Sequence, residues 1–171
     1  MINLLDFKFV QEIKNGGKIK ISIKGLKKSV DCSPEKRKEC YKYKRGACCI
    51  NHKNGHCTQY DLDELKLLPE KIKNCVDSNG VVKQDGTGIC ILLNECIKNP
   101  LIKPTVCSLY PIRFNKSGRL ILHRMAWLRP CPMYGKGNPV YISIKDNLIQ
   151  VFGEEIYKKI VYMVENGIEE L

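Results

Sequence analysis

Hydrophobic and polar positions recur along this chain with two different periods, and the longer period is clearest near the C-terminal end. From Ser143 onward, Ile144, Leu148, Val151/Phe152, Ile156, Ile160 and Met163/Val164 follow helical spacing, which predicts a long core-facing helix. Ser143 with Asp146 can cap its start, and Asn166-Gly167 marks its end. At the other end, within residues 1–28, the segment 4–27 reads as a β-hairpin. Leu5, Phe7 and Phe9 alternate with polar positions, Asn15-Gly16-Gly17 supplies a turn, and Ile19, Ile21 and Ile23 alternate with Lys18, Lys20 and Lys24.

The middle of the chain is built from shorter pieces. Ser33-Pro34-Glu35 starts a short helix that carries Cys40 toward the loop Arg45-Gly46-Ala47-Cys48-Cys49, where small residues leave the backbone uncrowded. Asp61-Leu62-Asp63-Glu64 has the form of a capping box, opening a helix to about Leu68, before Pro69. Its carboxylates read as a solvated helix terminus. Residues 72–93 suggest short strands with turns at Asn79-Gly80 and Asp85-Gly86, and Asn115-Lys116-Ser117-Gly118 is a hairpin turn followed by alternating Leu120 and Leu122. Helices and strands in this mixture imply an α+β fold. Without repeats, low-complexity tracts or linkers, residues 1–171 read as one small domain: an N-terminal hairpin, a cysteine-rich metal-binding centre and a long C-terminal helix.

Composition is globular, with 43% hydrophobic and 27% charged residues. No apolar run approaches the roughly 20 residues a bilayer crossing needs, and the longest, residues 89–93, contains Cys90. Asp6 and Lys8 interrupt the first ten residues, which argues against a signal peptide and for a cytoplasmic location. The formal charge is +11, with 23 lysines against 6 arginines spread over the whole chain. That balance permits an anionic partner such as nucleic acid, but it equally describes a solvated lysine-rich surface. Metal-bound cysteines would lower it, because ligating sulfur is a thiolate: eight thiolates around two dications leave about +7.

Ten cysteines change the picture most: Cys32, Cys40, Cys48, Cys49, Cys57, Cys75, Cys90, Cys96, Cys107 and Cys131. A disulfide framework would need an oxidising compartment. Inert packing thiols account for some cysteines but not for ten with two adjacent. Metal ligation accounts for the cluster, and both zinc and iron–sulfur centres take four thiolates. No C-x-x-C occurs, so ordinary zinc-ribbon knuckles are absent, and the balance moves toward iron–sulfur while zinc stays open.

Five blocks in order carry a resemblance. They are Cys40 with Arg45-Gly46-Ala47-Cys48-Cys49; Gly88-Ile89-Cys90-Ile91-Leu92-Leu93 with Cys96-Ile97; Lys103-Pro104-Thr105-Val106-Cys107-Ser108-Leu109-Tyr110-Pro111-Ile112-Arg113; His123-Arg124 then Cys131; and Pro139-Val140-Tyr141 then Phe152-Gly153-Glu154-Glu155. Over residues 30–165 the chain resembles the YkgJ-like cysteine-cluster proteins, described as zinc- or iron-chelating domains, and within them an uncharacterised branch. The resemblance implies that Cys40, Cys48, Cys49, Cys90, Cys96 and Cys107 are metal ligands, with Cys32 and Cys131 next. Cys57 and Cys75 match none of its positions and read as packing or surface residues. The gaps on either side of Cys40 are wider than in the family, and a second cysteine expected after His123-Arg124 is missing.

The functional expectation is therefore a metal-binding protein that holds an iron–sulfur cluster in a redox or structural role, with a redox partner or protein substrate. A zinc-binding structural protein is one alternative. A metal-dependent enzyme is another, since a related cysteine cluster occurs in the flagellin lysine methylase; His123 and Arg124 would then stand beside an open metal position. A hydrogen-bonded hairpin histidine explains His123 equally simply. His52 and His56 fall in a polar loop and read as surface residues. The third alternative is nucleic-acid binding through Tyr41-Lys42-Tyr43-Lys44-Arg45, where aromatic and basic residues interleave.

Overall fold

A computed structural model describes residues 5–30, 59–86, 90–123 and 134–171. The first element, α1 (Leu5–Lys14), is a helix, so the predicted N-terminal hairpin is corrected. Asp6, Val10 and Ile13 are spaced four and three apart, which stacks them on one helical face, and all three are buried. The alternation of Leu5, Phe7 and Phe9 is too short to compete with that face. Asn15-Gly16-Gly17 closes the helix instead of turning a hairpin. Gly16 adopts φ 89°, and Gly17 N–H donates to Glu12 O at 2.8 Å.

The next segment divides into β1 (Lys20–Ile21), α2 (Ile23–Leu26) and β2 (Ser29–Val30), with Ser22 Oγ accepting from Gly25 N to cap α2. Strand β1 pairs in parallel with β4 (Arg119–Leu122), which pairs antiparallel with β3 (Ile112–Phe114), giving the sheet order β1-β4-β3. The β3–β4 turn lies at Asn115–Gly118 as the sequence predicts. Asn115 Oδ1 accepts from the N–H groups of Ser117 and Arg119, and Leu120 is fully buried. Strand β2 pairs with β5 (Tyr134–Pro139) in a separate two-stranded sheet. Helices and sheets together bear out the α+β class.

Among the described residues, the middle of the chain continues with α3 (Leu62–Lys66), α4 (Glu70–Lys73) and α5 (Leu93–Lys98). The capping box on α3 is present, with Asp61 Oδ1 accepting from Asp63 N and Glu64 Oε2 from Asp61 N. Between α4 and α5, the predicted strands are reduced to single bridges, Val76 with Val82 and Gln84 with Cys90. Helix α6 (Thr105–Leu109) follows a short 3-10 turn at Pro100–Ile102.

The C-terminal region is helical, but not one helix. It divides into α7 (Val140–Ser143), α8 (Lys145–Phe152) and α9 (Glu154–Asn166). Gly153 breaks the run at φ 89°, ψ 161°, a conformation essentially confined to glycine, and so corrects the predicted single long helix. The hydrophobic period continues across the break, which is why the pattern alone looks uninterrupted. Ser143 caps nothing; its hydroxyl donates to Asn138 O. The stop is as predicted, with Gly167 left-handed at φ 74°.

Two hydrophobic clusters organise these elements. The larger joins α1, the three-stranded sheet and α7–α9 around Phe114, Leu120, Leu148 and Met163. The smaller surrounds Tyr60, Ile72, Val82, Cys90 and Leu92, with Cys75 and Cys96 packed at its edge. Helix α6 joins the two: Leu109 is fully buried in the larger cluster, while Thr105 bonds to Glu64 beside the smaller. Among the described residues, no helix is long and apolar enough to cross a membrane.

Candidate metal centre

Of the eight predicted ligands, Cys90, Cys96 and Cys107 belong to described segments. Cys32, Cys40, Cys48, Cys49 and Cys131 lie outside the described residues, as do Cys57, His52, His56, Arg124 and the Tyr41–Arg45 tract, together with the helix predicted from Ser33. Among the described residues, Cys75, Cys90, Cys96 and Cys107 are all thiols rather than half-cystines.

Cys96 and Cys107 are carried by two different helices, and Cys90 by an isolated bridge. Cys90 is buried and bridges to Gln84. Cys96 lies within α5, its N–H donating to Leu92 O at 2.8 Å, with its side chain half-buried against the smaller cluster. Cys107 is the middle residue of α6, its N–H donating to Pro104 O at 2.9 Å.

Tyr60 is what they share. Its ring is fully buried and its hydroxyl donates to Ile102 O. Burial, followed by the negative charge of Cys96, Cys107, Glu64 and Cys90, pushes its ionisation far above the ordinary phenol range. Cys90 and Cys96 pack in one hydrophobic cluster with Tyr60, and Cys107 stands on the helix that follows Ile102, the residue Tyr60 holds. Cysteine sulfur is a soft donor, which suits zinc or iron–sulfur rather than hard cations. Among the described residues alone, no group of three or more His, Cys, Asp or Glu side chains stands at metal-holding distance.

Glu64 is the residue sequence reasoning missed. Far from being a solvated helix-end carboxylate, it accepts from Thr105 N at 2.8 Å and Thr105 Oγ1 at 2.9 Å with one oxygen, and from Asp61 N at 3.4 Å with the other. Burial raises its pKa against the lowering effect of these bonds. Only the capping-box spacing hinted that Glu64 had a fixed orientation. Nothing in the sequence pointed to a partner 41 residues away.

Cys75 packs against the same cluster as Cys96, and its Sγ donates to Lys71 O at 3.4 Å. His123 lies just past β4, its N–H donating to Pro111 O at 2.7 Å. Its ring stands 5.9 Å from that of Tyr110, and Nε2 is 3.4 Å from Arg113 Nη1. Because a guanidinium only donates, Nε2 accepts in this contact.

Comparison of the chain with protein-family profiles, curated proteins and solved structures returns no match.

Proposed function

We propose that this chain is a metal-binding protein that holds an iron–sulfur cluster through its clustered cysteines. The observations that support the reading are geometric: Cys90 and Cys96 pack with Tyr60 in the smaller cluster, and Cys107 stands on α6, whose first turn is bonded to Glu64, four residues after Tyr60. Cys40, Cys48, Cys49, Cys32 and Cys131 complete the proposed ligand set. The likeness of five sequence blocks to the YkgJ-like cysteine-cluster proteins supports the same reading.

When bound, such a cluster supplies one-electron transfer or a structural cross-link. The chain's part is to present thiolates from an apolar surround. Tyr60, with its hydroxyl committed to Ile102 O, contributes a fixed neutral wall. Cysteines that serve as metal ligands rather than disulfides suit the cytoplasm, and a redox protein is the corresponding partner class.

Single serine substitutions test the ligand assignment. Cys90→Ser, Cys96→Ser and Cys107→Ser should each lose most of the metal that the anaerobically purified chain carries, while Cys75→Ser keeps it. Equal metal content in all four would refute the assignment. Zinc in place of iron and sulfide would keep the ligands and replace the iron–sulfur reading with a structural site.

A further inference from the structure

Helix α6 carries Cys107 but has little of its own to hold it in place. It is five residues long, well short of the length at which a helix supports itself, and its N-cap is Pro104, which makes no side-chain cap. Its C-terminal end is anchored by Leu109, fully buried in the larger cluster, and by Asn147, whose amide donates to Ser108 O at 2.7 Å. Its N-terminal end is fixed from across the chain. The Thr105 N–H and hydroxyl both donate to Glu64 Oε1, at 2.8 and 2.9 Å.

Glu64 is itself aimed by the capping box. Its other oxygen accepts from Asp61 N, which fixes the carboxylate relative to the start of α3. Four residues earlier, Tyr60 reaches the same stretch of chain through Ile102 O. The segment from Cys96 to Cys107 is thus gripped twice, by Tyr60 at Ile102 and by Glu64 at Thr105. Both grips come from one short piece of backbone.

Resting on the metal-binding reading, we propose that Glu64 is a positioning residue of the metal centre: its grip on Thr105 sets where the Cys107 thiol stands relative to Cys96 and Cys90. Tyr60 fixes the connecting segment, and Glu64 fixes the first turn of the helix that bears the ligand. Two bonds to a single carboxylate oxygen define both the position and the rotation of that turn, so the thiol two residues later inherits the alignment.

Cobalt(II) titration of the metal-free, reduced protein tests this, because thiolate-to-cobalt absorption grows with the number of thiolates bound to each ion. Glu64→Ala removes the acceptor. Glu64→Gln retains an oxygen that can accept both Thr105 donors. Thr105→Val keeps the backbone donor and removes the hydroxyl. In parallel, alkylation of Cys107 relative to Cys75 in the metal-free protein reports the clasp without any metal.

The expected result is an absorption per cobalt in Glu64→Ala of about three quarters of wild type, one thiolate lost from four, with affinity reduced about 10- to 100-fold. Glu64→Gln, which keeps the Thr105 acceptor but turns an NH2 toward Asp61 N, should stay closer to wild type than Glu64→Ala, Thr105→Val should fall between wild type and Glu64→Ala, and alkylation of Cys107 should speed up only where the clasp is lost. Should Glu64→Ala fail to fold, the intermediate behaviour of Thr105→Val decides the question alone. Wild-type absorption and affinity in Glu64→Ala or Thr105→Val would overturn the proposal while leaving the metal reading intact. A wild-type protein that shows no thiolate–cobalt band would overturn the metal reading and the role of Glu64 with it.

Discussion

Replacing Asp6 with asparagine should stabilise the protein at neutral pH and do almost nothing in acid. Asp6 sits in the first turn of α1 at 5% exposure, and its Oδ1 accepts from Phe114 N at 2.7 Å. Burial raises its pKa from 3.8 to about 6, against the lowering effects of the Phe114 bond and of Arg113. The folded protein therefore holds this proton more tightly than the unfolded chain does. The resulting stability is fully present below about pH 4 and is lost as pH rises through about 6. At about 1.4 kcal/mol per pH unit, the loss approaches about 3 kcal/mol by pH 7.5. Asparagine keeps the oxygen that Phe114 N needs and cannot ionise. It forgoes the attraction between a carboxylate and the helix N-terminus, about 0.3–1 kcal/mol, so the net gain is about 2 kcal/mol. For a chain of this length that corresponds to a melting temperature higher by about 4–8 °C. Urea and thermal melts of wild type and Asp6→Asn at pH 4 and pH 7.5 measure it. A difference between the two proteins that does not change with pH, or an Asp6→Asn that is the less stable at pH 7.5, would refute the reasoning.

Other substitutions probe the remaining structure. Tyr60→Phe removes the donor to Ile102 O from a buried site and should cost about 1–3 kcal/mol in chemical denaturation, with a matching cost in metal affinity because one grip on the Cys96–Cys107 segment is gone. Gly153→Ala forces a side chain into φ 89°, ψ 161° and should destabilise by about 1–3 kcal/mol, although the space around the new methyl is open; a neutral result would show that the break between α8 and α9 adjusts freely. Ser108 Oγ is buried and has no hydrogen-bond partner among the described residues, so Ser108→Ala should stabilise by about 1 kcal/mol, read from the denaturation midpoint.

The sequence patterns that succeeded were local and chemically specific. Asn115 could be recognised as a turn residue because its side chain caps its own backbone, and Asn166-Gly167 because a left-handed residue ends a helix there. The Asp61–Glu64 capping box is specific for the same reason. Failures came where a short alternation had two readings. Leu5, Phe7 and Phe9 fit a strand, but Asp6, Val10 and Ile13 fit a helix and bury a full face, and the larger burial wins. Gly153 was hidden because apolar residues on both sides keep helical phase, and only its backbone angle reveals the break.

At the candidate site, cysteine number and type suggest the chemistry, whereas the packing of Cys90 and Cys96 beside Tyr60 depends on how α5 meets the smaller cluster. Glu64 was illegible for a related reason. Its partner is 41 residues distant, and a helix-start carboxylate looks the same in sequence whether it faces water or Thr105.

Iron, zinc and acid-labile sulfide analysis of the anaerobically purified chain, with its visible absorption spectrum, tests the metal-binding claim most directly. The account predicts a brown protein with iron and sulfide in stoichiometric amounts. A colourless protein with neither iron nor zinc, its cysteines titrating as thiols or disulfides, would contradict it.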